Sequence, residues 1–231
     1  MSTYLEILIL SISLPLLFSF HPKIKFYKKW KYFFTANLSI AIPFIIWDYL
    51  FTKQGVWKFS DHHISGIKII NLPIEEILFF ILIPYCFIFT YEVLGKYISI
   101  KKERNELIKR ITFIAGIFIL ILGITTLSYI YTSTTLIFLS FTLIIISKIN
   151  IYFLDAFYIT FLIITCIPFV IVNGMLTGIM EESINTAVVV YNDQERFFNR
   201  FLTIPIEDFF YSMLLLISNT LIYEIIQKRK C

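Results

Sequence analysis

Two short acidic motifs carry the chemistry this sequence offers. Pro73-Ile74-Glu75-Glu76 and Pro205-Ile206-Glu207-Asp208 each place adjacent carboxyls behind a proline at the start of an apolar stretch. They stand 132 positions apart, and the same shift carries Lys68 onto Arg200 and Tyr91-Glu92 onto Tyr223-Glu224, so the chain contains an internal duplication. Paired carboxyls in a water-poor setting are proton-transfer groups, one giving a proton and the other taking one away. Aromatic residues follow each pair: Phe79, Phe80 and Tyr85 after the first, Phe209, Phe210 and Tyr211 after the second. Ring faces stabilise a cation without supplying a nucleophile that would trap it. An acid able to protonate an alkene, rings that shelter the carbocation and a second carboxylate to remove a proton together predict a cyclisation without net redox change. Prolines and acids also suit a helix start on their own account. The duplication, and the cost of a carboxylate at membrane depth, favour the functional reading.

The elements that position these motifs are membrane helices. The chain has 231 residues, 58% hydrophobic and only 16% charged, with a mean hydropathy of +0.80, against about 25% charged in ordinary soluble domains. Runs long enough to cross a bilayer, which takes about 20 residues, cover 4–20, 33–51, 74–94, 111–130, 134–147, 153–172 and 205–226, with only Tyr131-Thr132-Ser133 between the fourth and fifth. Seven crossings put fifteen of the twenty basic residues on one side: Lys23, Lys25, Lys28, Lys29, Lys31, Lys96, Lys101, Lys102, Arg104, Lys109, Arg110, Lys148, Lys228, Arg229 and Lys230. The positive-inside rule then predicts an inner-membrane protein with its amino terminus outside and its carboxy terminus in the cytoplasm. The net charge of +4 reports this topology and excludes a nucleic-acid surface. The first run has no basic residue before it and no small-residue cleavage site after it, so it reads as a retained helix.

Helices two and three match six and seven, helix one matches five, and helix four connects. The predicted fold is all-α: a tandem parallel repeat of three helices in one membrane domain, with half one at 1–98, the connector at 99–131 and half two at 132–231. Equivalent helices run the same way about an axis along the membrane normal, so both acid pairs share one end. The preceding loops correspond too, Val56-Trp57-Lys58-Phe59 with Val188-Val189-Val190-Tyr191 and Ser60-Asp61 with Asn192-Asp193.

At these residues the chain resembles the small integral-membrane lycopene cyclases of bacteria, archaea and fungi, whose two related halves each bear a Pro-x-Glu-Glu/Asp motif. Gly55-Val56-Trp57, Ile64-Ser65-Gly66, Lys68 and Asn71-Leu72 resemble that family's first half, and Tyr191-Asn192 and Arg200 to Pro205 its second. The resemblance implies a fused two-half enzyme, monomeric in its minimal unit, that closes the ψ ends of the linear carotene lycopene into β rings. The steps it implies are protonation of the terminal double bond, ring closure of the cation and proton loss. Glu75 and Glu207 are the leading catalytic candidates, with Glu76 and Asp208 beside them. Asp48, Trp57, Phe79, Phe80, Phe209, Phe210, Tyr211, Pro73 and Pro205 are expected to line or support the site. A carotenoid, the bilayer and other enzymes of carotenoid synthesis are the implied partners. ε rings or C50 substrates are alternative outcomes of the same chemistry. The second half departs from the pattern: Val189 stands where Trp57 does, and Phe197-Phe198 replaces Ser65-Gly66.

Other residues receive simpler readings. Asp48 corresponds roughly to Asn173, at an offset of 125. Glu92 and Glu224 predict ion pairs with Lys96 and Lys228 one helical turn on. Asp155 reads as a cap or a solvated residue, and Glu181-Glu182 as solvated surface. His62-His63 and the cysteines Cys86, Cys166 and Cys231 have no metal or disulfide spacing. No cofactor is expected, since no dinucleotide-binding glycine motif occurs. The rival class is a proton-coupled carrier, which duplicated helices with acids also describe. Against it, the acids stand at helix starts rather than at mid-depth. A retinal protein would need a lysine within the last helix, and none stands between Pro205 and Tyr223; a prenyl transferase would need Asp-rich motifs, and the sequence has none.

Overall fold

With no water in a bilayer core to satisfy backbone groups, apolar runs of this length must close their hydrogen bonds internally, and they do so as helices. The computed structural model describes residues 2–97, 102–149 and 153–228, leaving the side chains of 102–105 undescribed. Seven helices follow in order: α1 (Thr3–Ser19), α2 (Trp30–Gln54), α3 (Ile74–Gly95), α4 (Lys102–Thr125), α5 (Ile130–Lys148), α6 (Leu154–Leu176) and α7 (Ile206–Lys228). All but α1, which has 17 residues, are long and apolar enough to cross a membrane. A 3-10 turn, Phe26–Lys29, leads into α2, and a π turn, Thr165–Phe169, interrupts α6.

The break between α4 and α5 lies at 126–129, before Tyr131-Thr132-Ser133 rather than at them. Those three residues are buried in the first turn of α5, and the hydroxyls of Tyr131 and Thr132 reach acids on α7. Hydropathy read them as a loop because the partners that satisfy them are remote in sequence. The connector α4 packs on α5. A Cβ added at Gly116 would lie 2.9 Å from the Ile144 side chain, and one at Gly123 2.9 Å from Ile137 and 3.2 Å from the Ile137 backbone nitrogen. Glycine here permits the close approach by which membrane helices gain packing contacts.

The duplication is geometric as well as sequential. Strand β1 (Trp57–Phe59) pairs antiparallel with β4 (Val189–Tyr191) in the register Trp57 to Tyr191, Lys58 to Val190 and Phe59 to Val189. Since the shift of 132 carries Lys58 onto Val190, a pseudo-dyad passes through that central pair. Hairpin β2 (Lys68–Ile69) with β3 (Leu72–Pro73) is matched by β5 (Arg200–Phe201) with β6 (Ile204–Pro205). Lys68 bonds Asp61 at 2.8 Å, and Arg200 bonds Asp193 at 2.9 Å.

At the opposite, basic end the exchange is reciprocal: Tyr91 donates to Glu224 at 2.7 Å and Tyr223 to Glu92 at 2.5 Å. Glu92 takes its ion pair at 2.6 Å from Lys29, the last residue of the 3-10 turn that leads into α2, not from Lys96, which turns to the carbonyl of Lys23. Helix-to-helix contact within the bundle outcompetes the local turn. Glu224 does meet Lys228, at 3.9 Å. Asp155 is buried rather than solvated, in the first turn of α6. Glu181 faces His63 at 3.6 Å.

Candidate functional site

Each acid pair is set by the hairpin before it. In the first half Ile70 and Asn71 take positive φ, 50° and 67°, the left-handed geometry a two-residue hairpin turn requires. Leu202 repeats it at 56°. The amide of Ile74 then bonds the carbonyl of Ile67 at 2.9 Å, and that of Ile206 the carbonyl of Asn199 at 3.2 Å. Pro73 is the buried cap residue one position before α3, and Pro205 likewise precedes α7. The helix then starts on the isoleucine, and successive acids project about 100° apart. This angular separation divides their roles.

Glu75 and Glu207 turn to the loops. One oxygen of Glu75 accepts from the Ser2 hydroxyl at 2.7 Å and the Ser65 amide at 2.6 Å. One oxygen of Glu207 accepts from Thr132 at 2.6 Å and from the amides of Phe197 and Phe198 at 3.0 and 2.9 Å. Ser65 and Phe197 are the same position in the two repeats.

Glu76 and Asp208 turn inward, to a shared cavity of about 170 Å³. Tyr4 of α1 donates to Glu76 at 2.5 Å. Asp208 accepts three hydrogen bonds, from Tyr131 at 2.6 Å, Asn173 at 2.7 Å and Tyr191 at 2.9 Å. Burial, with the Asp208 carboxylate beside it, pushes the Tyr191 phenol well above its ordinary range and keeps it a donor. Asp48 lines the same cavity, one oxygen accepting from the Trp57 indole at 2.6 Å and the other buried without a partner among the described residues. Three carboxyls thus surround one space whose surface is otherwise mostly apolar.

Aromatic rings close it. Trp57 meets Tyr131 at 5.2 Å and Tyr191 at 5.9 Å, Tyr131 stacks on Tyr191 at 5.9 Å, and Tyr211 completes the set. Of the expected aromatic positions, Trp57, Phe79 and Tyr211 line the cavity. The other three pack elsewhere: Phe80 on Phe44, Phe209 on Phe169 and Phe201, and Phe210 on Phe198.

Sequence reasoning missed Tyr4 and Tyr131 as partners of the acids. The hydroxyl pair that serves each motif is Ser2 and Tyr4 in one half and Thr132 and Tyr131 in the other. Its order is reversed between the repeats, so no fixed shift reveals it.

Comparison with known proteins gives the family. A model of the lycopene cyclase family matches residues 1–94 and 128–226. A bifunctional lycopene cyclase/phytoene synthase of Pyrenophora tritici-repentis (strain Pt-1C-BFP) is 39% identical over 49 residues, which is 21% of this chain and 8% of that protein. Its namesake in Phaeosphaeria nodorum (strain SN15 / ATCC MYA-4574 / FGSC 10173) is 29% identical over 62 residues, 27% of this chain and 10% of that one. The matched stretches thus span about a tenth or less of these fungal relatives. No solved structure matches.

Proposed function

The chain belongs to the lycopene cyclase family, and from that premise we propose that it is a β-cyclase that closes the ψ end groups of lycopene by acid catalysis in the cavity between its two halves. One observation carries the reading: Glu76 of the first repeat and Asp208 of the second face a single aromatic-lined apolar space. Glu76, with one oxygen held by Tyr4, delivers a proton to the terminal double bond. The next double bond attacks the resulting cation and closes the ring. Trp57, Tyr131, Tyr191 and Tyr211 shelter the positive charge. A carboxylate then removes a ring proton and leaves the new double bond. The proton gained equals the proton lost, so the product is an isomer.

Three donors organise Asp208 as an acceptor, and its role is to stabilise the cation and receive the proton. Glu75 and Glu207 position the loops that close the site. Asp48, held by Trp57, sets the third face. The chain works as one membrane domain, with halves at 1–98 and 132–231 about a connector at 99–131. It lies in the cell membrane with the acid end outside and the basic end in the cytoplasm.

The test is pigment analysis by chromatography and absorption in a lycopene-accumulating bacterial host. Expression of the chain is expected to yield β-carotene. Glu76→Gln and Asp208→Asn are expected to leave lycopene. Unchanged lycopene with the parent chain present in the membrane would overturn the reading.

A further inference from the structure

The pseudo-dyad relates two spaces, and among the described residues they are filled differently. The cavity at Glu76 and Asp208, also lined by Asp48 of α2, Tyr131 of α5 and residues of β1 and β4, is walled mainly by α1, α3, α6 and α7. The dyad exchanges these for α5, α7, α2 and α3, and there the equivalent space is filled by rings. Trp47 of α2 sits 5.2 Å from Tyr211 and 5.3 Å from Phe138 of α5, while Phe44 lies 6.1 Å from Phe80 and 5.3 Å from Tyr211.

The repeat explains the difference residue by residue. The offset that relates Asp48 to Asn173 puts Val172 where α2 has Trp47, and the shift of 132 puts Ser212 where α3 has Phe80. Both Val172 and Ser212 line the open space. Two small side chains leave empty what a tryptophan and a phenylalanine fill.

The open space is deep and reaches the surface. Its lining on α3 runs from Glu76 to Phe87, a span of twelve residues, or about 16 Å along the axis. Pro168 both lines the cavity and is exposed on α6. Pro168 stands within the π turn Thr165–Phe169, and such turns inside helices are frequent at functional sites. A cavity of about 170 Å³ is of the size that takes one six-membered ring, since an apolar void of about 150 Å³ accepts benzene.

We propose that this slot is the single polyene seat of the molecule: one end group lies under Glu76 and Asp208, its tail runs along α3 and leaves into the membrane past Pro168, and the dyad-related seat is closed by Trp47 and Phe80. A carotene with two reactive ends is then turned over one end at a time, with release between. The inference rests on the cyclase reading for its substrate. Binding is therefore measured separately from conversion.

The experiment transfers the plug. Val172→Trp and Ser212→Phe, each placed in the parent chain and in the Glu76→Gln background, are compared with Ile163→Trp, a membrane-facing change on the same helix. Lycopene retained by the purified Glu76→Gln protein is read by absorption, and conversion by the otherwise unmodified chain by chromatography. The plug variants are expected to lose at least tenfold in both, and Ile163→Trp to stay within twofold. Because the seat takes one end at a time, a monocyclic product is expected to appear before the bicyclic one.

Retention and conversion undiminished in both plug variants would overturn the slot. Lycopene retained by the Glu76→Gln protein and lost with the plug, but never converted by the parent chain, would uphold the slot and sink the cyclase reading. If the larger residues prevent folding, judged by thermal melting, Ser212→Leu gives the same comparison with less bulk, and normal retention in it would overturn the proposal.

Discussion

The two halves share a scaffold and differ in what fills it. Their hairpins, helix starts, Asp61–Lys68 and Asp193–Arg200 pairs and Tyr91/Glu224 and Tyr223/Glu92 exchanges superimpose under one dyad. Around the cavity the equivalence stops. Glu76 has a single tyrosine partner, whereas Asp208 has three donors. α2 offers Trp47 where α6 offers Val172. Duplication supplies two of each part, and an end group that gains a proton at one carbon and loses one at another needs a donor on one side and an acceptor on the other. Divergence of the inward-facing residues creates that polarity while the loop-facing residues stay alike.

The sharpest way to break this comparison is to remove the inward acids. Loss of a positioned proton donor or acceptor costs roughly 10²- to 10⁴-fold in rate, and Glu76→Gln and Asp208→Asn are each expected to fall in that range. Their effects should not add, because the two groups act in one reaction. The check is initial rate of lycopene consumption in isolated membranes. Full activity in either variant would mean that the halves do not share a reaction centre.

How far the sequence reveals this follows from what each residue touches. The seven helices, the repeat and its parallel sense are legible because hydropathy and a shift of 132 are properties of the chain alone. The four acids are legible for the same reason. Which acid of each pair faces the cavity is not, since adjacent residues share one motif and differ only by about 100° around a helix whose start is fixed by the hairpin. Nor are Tyr4 and Tyr131 legible, as they come from helices whose register differs between the halves. Lys29 as the partner of Glu92 depends on how α2 packs on α3, and local spacing pointed to Lys96 instead.

A second contrast concerns the loop-facing acids. Glu207 holds two amides and a hydroxyl, Glu75 one amide and a hydroxyl. An orphaned buried donor costs about 1–3 kcal/mol. Glu207→Ala is therefore expected to destabilise by about 3 kcal/mol, more than Glu75→Ala, in thermal melts of the detergent-solubilised protein. Equal losses would show that the second half does not hold its loop more firmly.

A smaller effect separates the outer helices α1 and α5, of which α5 alone is covered by the connector. At Gly123 an added methyl meets the Ile137 backbone nitrogen at 3.2 Å as well as its side chain. Overpacking of about 1–3 kcal/mol outweighs the helix-propensity gain of about 1 kcal/mol. Gly123→Ala is thus expected to lower the melting temperature with little change in activity. An unchanged or raised melting temperature would mean that α4 lies less closely on α5 than the glycine contacts indicate.

The smallest difference lies on the loops. Although its partial burial works the other way, hydrogen bonds from Arg200 and Arg196 hold the Asp193 carboxyl below its ordinary value. The hydrogen bond and charge of Lys68 do the same for fully exposed Asp61. A depressed folded-state value contributes stability above the unfolded pKa, about 3.9 for aspartate, and loses it as pH falls through the lower folded value. Asp193 is half-exposed, so Asp193→Asn is expected to cost no more than about 1 kcal/mol at pH 7, a cost that shrinks as pH falls through the lowered folded-state value. Asp61→Asn should follow the same profile with a smaller amplitude, because one mobile lysine replaces two arginines. Melting curves from pH 7 to pH 3 compare the two. A cost of Asp193→Asn that does not shrink as pH falls would assign its effect to shape rather than charge, and would remove the last electrostatic difference between the halves.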